Sequence, residues 1–138
     1  MPDGFRVRIL TPMGEVLDAS AGHLRAPAPD GLFGVMARHA PMVAELAIGA
    51  IVVTDPAGGT RHFATTGGVL RVAGGEAVAL VDAAEEAAEI DIERARRALE
   101  RARHRLASRA AGAVDLSRAE LALARALNRL RVAERVQL

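Results

Sequence analysis

Two hydrophobic periods divide the chain. In Phe5-Arg6-Val7-Arg8-Ile9-Leu10 apolar and basic residues alternate, the pattern of a strand with one face buried. Thr11-Pro12-Met13-Gly14 carries turn chemistry, with Pro and Gly where a chain reversal uses them. Ile51-Val52-Val53-Thr54 is a β-branched run closed by Asp55-Pro56-Ala57-Gly58-Gly59. Val69-Leu70-Arg71-Val72 and Ala77-Val78-Ala79-Leu80-Val81 flank Gly74-Gly75, which predicts a β-hairpin. Beyond residue 89 the period changes. Ile92, Ala95, Leu99, Ala102 and Leu106 are spaced 3, 4, 3, 4, and Leu116, Ala119, Leu123, Ala126 and Leu130 repeat that spacing. Each set forms one apolar stripe on a helix. Asp91 is placed to cap the first helix and Asp115 the second, with Ser117 and Glu120 as an alternative capping box. The link Ala110-Ala111-Gly112-Ala113-Val114 is short, so the spacing predicts an antiparallel helical hairpin.

Composition breaks at the same place. All six prolines lie in the first 56 residues, and 12 of the 13 glycines at or before Gly75, whereas 12 of the arginines lie from Arg94 onward. Gly and Pro punctuate turns; Ala, Leu, Glu and Arg fill helices. The expectation is a mainly β domain over 1–84, a sandwich or flattened barrel, then a helical domain over 89–138. Asp82 to Ala88 reads as a short connection between them. The stripes are rich in alanine, which permits close approach but buries little apolar area. The hairpin should therefore hold together weakly, as an element able to detach and dock again.

The 138-residue chain has 51% apolar and 25% charged residues, a globular composition. It contains no cysteine, and its 18 basic residues of the Lys+Arg class are all arginine. Thiol, zinc-thiolate, Walker-A and lysine Schiff-base chemistry are therefore excluded. Trp and Tyr are absent and the net charge is +1, which argues against nucleic acid as a partner. The longest apolar stretch, Leu46 to Val53, is too short to cross a bilayer. The N-terminus has no basic region followed by an apolar run, so the expected location is the cytoplasmic side, with membrane association only through a partner.

Few residues suggest chemistry. Glu85 and Glu86 read as solvated carboxylates, and His23, His39, His62 and His104 lack metal-ligand spacing, so no metal site is expected. Gly31-Leu32-Phe33-Gly34 lacks a following lysine and reads as a turn between strands, not a phosphate loop. The arginines say more. Arg94, Arg97, Arg101 and Arg105 share one helical face, and Arg125 and Arg129 lie one turn apart on the second helix. One reading is a solvated face, partly neutralised by Glu93, Glu100, Glu120 and Glu134. The other is a site for phosphates or an acidic protein segment.

Several motifs occur together in order. They are Ile9-Leu10-Thr11-Pro12-Met13-Gly14, the run from Gly31 to Pro41, Leu46 with Gly49, Gly67-Gly68, and Ile90-Asp91-Ile92-Glu93-Arg94-Ala95 opening the tail. In this order and spacing, over nearly the whole length, the chain resembles the epsilon subunit of the bacterial rotary (F-type) ATP synthase. The resemblance implies a ten-stranded β-sandwich followed by the hairpin, in a non-catalytic central-stalk subunit. The sandwich would bind the gamma subunit and sit on the rotor ring of c subunits, at the cytoplasmic side of the plasma membrane. The hairpin would extend into the alpha/beta catalytic head and suppress ATP hydrolysis. No cofactor is required, but in several bacterial members ATP is a regulatory ligand that holds the hairpin down. The residues matching that pattern are Ile90, Asp91, Arg94 and Ala95, with Glu85 upstream, Arg101 on the first helix, and Arg125 and Arg129 on the second. The segment from Asp30 to Pro41 matches the ring-facing segment. Many members carry a carboxylate where this chain has Leu32, so Asp30, Arg38 and His39 are the expected ring contacts. The alternative is a free-standing nucleic-acid- or anion-binding module that uses the arginine-rich hairpin.

Overall fold

The computed structural model describes residues 4–108 and 116–137, in two compact units, Met1–Glu86 and Ala87–Leu138. The first unit holds ten strands: β1 (Phe5–Thr11), β2 (Gly14–Ala21), β3 (His23–Ala28), β4 (Gly31–Met36), β5 (Met42–Leu46), β6 (Gly49–Thr54), β7 (Thr60–Thr65), β8 (Gly68–Ala73), β9 (Glu76–Val81) and β10 (Ala84–Glu86). They form two five-stranded sheets in the orders β2-β1-β9-β8-β5 and β10-β7-β6-β3-β4. All pairings are antiparallel except β1 with β9, which runs parallel from Arg6↔Glu76 to Leu10↔Leu80.

Alternation explains the core. Val7, Ile9, Leu70, Ala77 and Ala79 point inward from the first sheet, and Leu24, Ala26, Val35, Ile51, Val53 and Phe63 from the second. Phe63, the largest of the fully buried side chains, has no exposed surface. The β8–β9 hairpin closes through Gly74 and Gly75, with φ of 58° and 78°, a left-handed conformation that glycine adopts without a Cβ penalty.

Two sequence readings change. Gly31-Leu32-Phe33-Gly34 is not a turn but the body of β4; the reversal lies earlier, at Pro29 and Asp30. Pairing with β3, from His23↔Met36 to Ala28↔Gly31, takes both glycines into the ladder and buries Val35 while Leu32 and Met36 face outward. The junction from Asp82 to Ala88 is also more than a connection. Ala84–Glu86 pairs with β7, and Ala87–Glu89 forms a 3₁₀ turn, so the first unit runs to Glu86.

In the second unit, α1 (Ile92–Ala107) and α2 (Leu116–Gln137) pack against each other, and the 3₁₀ turn packs on α2. Asp91 caps α1: its backbone is extended, at φ −78° and ψ 101°, and its carboxylate accepts from the Arg94 N–H. The alanines of the stripes are buried, at Ala95, Ala102, Ala119 and Ala126, together with Leu99, Val132 and Ala133. Asp115 and the link around Gly112 lie outside the described residues.

Candidate functional site

The outer face of the first sheet combines apolar exposure with fixed charge. Register aligns Glu45, Val69, Leu80 and Leu10 in one row across β5, β8, β9 and β1, and Val43, Arg71, Val78 and Arg8 in the next. Val43 is 74% exposed, Leu80 50% and Val69 39%. A hollow of about 340 Å³ beside Leu80 is lined by Leu10, Thr11, Pro12, Val81 and Asp82. Apolar side chains grouped this way on an open sheet make this face a candidate interaction surface.

Ion pairs frame that face. Arg6 donates from Nε and Nη2 to both oxygens of Asp18, at 2.8 and 2.6 Å, and from Nη1 to Glu76 at 3.3 Å. The hydrogen bond from Arg6, more than its charge, holds the Asp18 carboxyl below the usual range. Arg8 donates to Glu15 at 2.8 and 3.1 Å. These bonds tie β1 to both of its neighbours. Sequence reasoning missed this surface because Val78 and Leu80 lie in an all-apolar run. β9 is apolar at both faces, and only its pairing with β1 and β8, which carry arginine outward, shows which of its residues are exposed.

The expected ring contacts fall at two ends of β4. Asp30 occupies the β3–β4 reversal, next to Leu32, which is 64% exposed. Arg38 and His39 follow the far end of the strand, separated from Asp30 by about 17 Å of extended chain. There the His39 N–H donates to the Met36 carbonyl at 3.2 Å, and Arg38 has φ 66°. The structure does not bring Asp30 together with Arg38 and His39.

Of the expected ATP contacts, Glu85 belongs to the first unit, on β10, and the other seven to the second. Ile90 and Ala95 are buried. The Ile90 N–H donates to the Ala87 carbonyl, and the Asp91 carbonyl accepts from Ala95, as its carboxylate does from Arg94. Arg94, Arg101 and Arg125 are exposed, and Arg129 is half-buried. Along α1 the nearby acids are taken by other partners: Glu93 pairs with Arg96 and Glu100 with Arg103. The row Arg94, Arg97, Arg101, Arg105 forms no ion pair among the described residues. Glu86, read from the sequence as a solvated carboxylate, is instead gripped by Arg61 at 2.8 and 2.6 Å. That bond lowers the pKa of its carboxyl below the usual range, against the opposing effect of burial. Among the described residues no His, Cys, Asp and Glu cluster could hold a metal, and no helix is long and apolar enough to cross a membrane.

Comparison with known proteins agrees with the two-part architecture. Residues 4–87 match the family model for the ATP synthase delta/epsilon chain β-sandwich domain, and residues 88–134 that for its long α-helix domain. The chain is 43% identical over 109 residues to the ATP synthase epsilon chain of Carboxydothermus hydrogenoformans, covering 79% of this chain and 81% of that one. It is 41% identical over 98 residues to the epsilon chain of an Anaeromyxobacter species (strain K), covering 71% and 74%. In fold it is similar to a chain of the Euglena gracilis mitochondrial ATP synthase OSCP/F1/c-ring structure, with TM-score 0.68, 22% identity and coverage of 99% and 81%. By these matches the chain belongs to the epsilon-chain family of the F-type ATP synthase, whose members are non-catalytic subunits of that complex.

Proposed function

We infer that this chain is a central-stalk subunit whose sandwich docks on the gamma subunit through the outer face of the first sheet. The observation that carries this reading is the exposed apolar group Val43, Val69 and Leu80, held in register on an ion-pair-framed sheet. Burying such side chains at an interface contributes about 25 cal/mol per Å² of apolar area. The turn at Asp30, with exposed Leu32, then faces the rotor ring of c subunits, and association with the membrane runs through the complex. The test is co-purification of the full chain with gamma from the same source. Wild type should be retained, and the double substitution Val69→Asp, Leu80→Asp should be lost from the complex while its circular dichroism is unchanged. Retention of the folded double variant sinks this docking surface.

A regulatory role rests on a second observation, the unmatched arginine row of α1. Such a row suits an acidic segment of the alpha/beta catalytic head, and contact there would suppress ATP hydrolysis. Deleting residues from Asp91 onward should raise ATPase activity of the assembled complex and leave assembly intact; unchanged activity removes the inhibitory role. ATP fits the same unit as a regulatory ligand, because the exposed guanidinium groups of Arg94, Arg101 and Arg125 offer donors to phosphate oxygens. A ligand that binds one arrangement of the helices shifts the population by its difference in affinity, without being hydrolysed. Arg94→Ala should weaken ATP binding to the isolated subunit roughly ten- to a hundredfold, read by calorimetry. No binding to wild type at millimolar ATP leaves the Asp91–Arg94 pair as a helix start only.

A further inference from the structure

Three arginines, Arg6, Arg8 and Arg71, project from the outer face of the first sheet, and they are not equivalent. Arg6 holds Asp18 and Glu76, and Arg8 holds Glu15. Arg71 is exposed and forms no hydrogen bond or ion pair among the described residues. Its cross-strand neighbours are Val43 and Val78, neither of which offers an acceptor. By register the nearest acids are diagonal: Glu76, already engaged by Arg6, and Glu45, which is exposed on β5. A hollow of about 270 Å³ opens beside Arg71, lined by Ala73, Gly74, Glu76 and Val78.

A partner that covers Val43, Val69 and Leu80 also covers Arg71. Its guanidinium carries five N–H donors, and covering them without acceptors costs far more than leaving them in water. A partner that supplies a carboxylate there makes a charge-assisted pair in a setting from which water has been displaced, the arrangement typical of interface hot spots. A partner that does not is rejected. We propose that Arg71 is the specificity-determining anchor of this face, taking an Asp or Glu side chain of the gamma subunit into the hollow beside it. The proposal rests on the reading that this face docks gamma.

The experiment titrates the full chain with purified gamma, comparing wild type, Leu80→Asp, Arg71→Met, Arg71→Lys and Glu45→Gln. Arg71→Met keeps the apolar stem and removes every donor. It should weaken binding about ten- to a hundredfold and flatten the salt dependence of affinity. Arg71→Lys, with the charge but not the fork, should fall between. Glu45→Gln should bind as wild type does. If Leu80→Asp binds normally, the docking surface itself is wrong and the anchor falls with it. If Leu80→Asp is weakened and Arg71→Met is not, only the anchor is overturned. If Glu45→Gln is weakened as much as Arg71→Met, the carboxylate that Arg71 needs comes from its own sheet, and the proposal is likewise overturned.

Discussion

Replacing Gly68 with alanine tests the packing that shapes the docking face. Gly68 opens β8 and is paired on both sides, with Leu46 on β5 and Val81 on β9. A Cβ there would run into the Leu80 carbonyl oxygen and lie 2.9 Å from both the Leu80 carbonyl carbon and the Val81 Cα. All three are backbone atoms, so no side-chain rotation relieves the clash. The strands must separate. Overpacking of this kind costs about 1–3 kcal/mol, and each ladder hydrogen bond lost adds about 0.5–1.5 kcal/mol, so one or two lost bonds bring the total to about 1.5–6 kcal/mol. For a domain of this size each kcal/mol lowers Tm by about 4–8 °C, so Gly68→Ala should melt at least about 6 °C below wild type. The control is Gly74→Ala. Gly74 has φ 58° and open space around its Cβ position, so only the left-handed conformation is penalised, at about 1–2 kcal/mol. Thermal and urea unfolding of both variants, followed by far-ultraviolet circular dichroism, gives the order. Gly68→Ala melting no lower than Gly74→Ala would refute the backbone-clash argument.

Three further outcomes follow from the same geometry. Phe63→Ala removes a fully buried ring from the second sheet and should cost about 3–5 kcal/mol in urea unfolding of the sandwich; a loss under 1 kcal/mol would show that Phe63 is not packed as described. Asp91→Ala removes the cap of α1 and should lower helix stability by about 0.5–2 kcal/mol, seen as faster amide exchange at Arg94, whereas Asp91→Asn should keep most of it. Asp18 and Glu86 both have depressed pKa values, so their contribution to stability is present above the ordinary carboxylate range and is lost as pH falls through the lower folded-state values. Urea midpoints measured downward from pH 6 should therefore fall in acid, and Glu86→Gln should reduce that fall; an identical pH profile for the variant removes the Arg61–Glu86 pair as a cause.

Local rules were sufficient wherever the interaction itself is local. Arg6 and Arg8 point outward and Val7 and Ile9 inward because adjacent strand residues face opposite ways, which polarity reveals in β1. Asp91 caps α1 because a carboxylate reaches the N–H three residues on, and the Gly74-Gly75 reversal needs only its own two backbones. In β9 the same rule was silent: both faces are apolar, so nothing in Val78 or Leu80 told an exposed residue from a buried one. Glu85 and Glu86 read as linker because their strand exists only through pairing with β7, about 20 residues earlier.

From the sequence alone came the division into a strand-rich first part and a helical second part, the family motifs, and the arginine row of α1. Each depends on composition, period or spacing within a short stretch. Beyond the β8–β9 hairpin, the tertiary structure alone decided which strands neighbour which. The parallel contact of β1 with β9 brings Arg6 to Glu76 and sets Leu10 beside Leu80, across about 70 residues of chain. It also left Arg71 without a carboxylate partner among the described residues: Arg6 engages the diagonal Glu76, and Asp18 and Glu15 lie on β2, at the far side of the sheet from β8. Such partnerships depend on loop closures and register choices that no local pattern encodes, because a side chain's solvent exposure and its partner are properties of the assembled sheet.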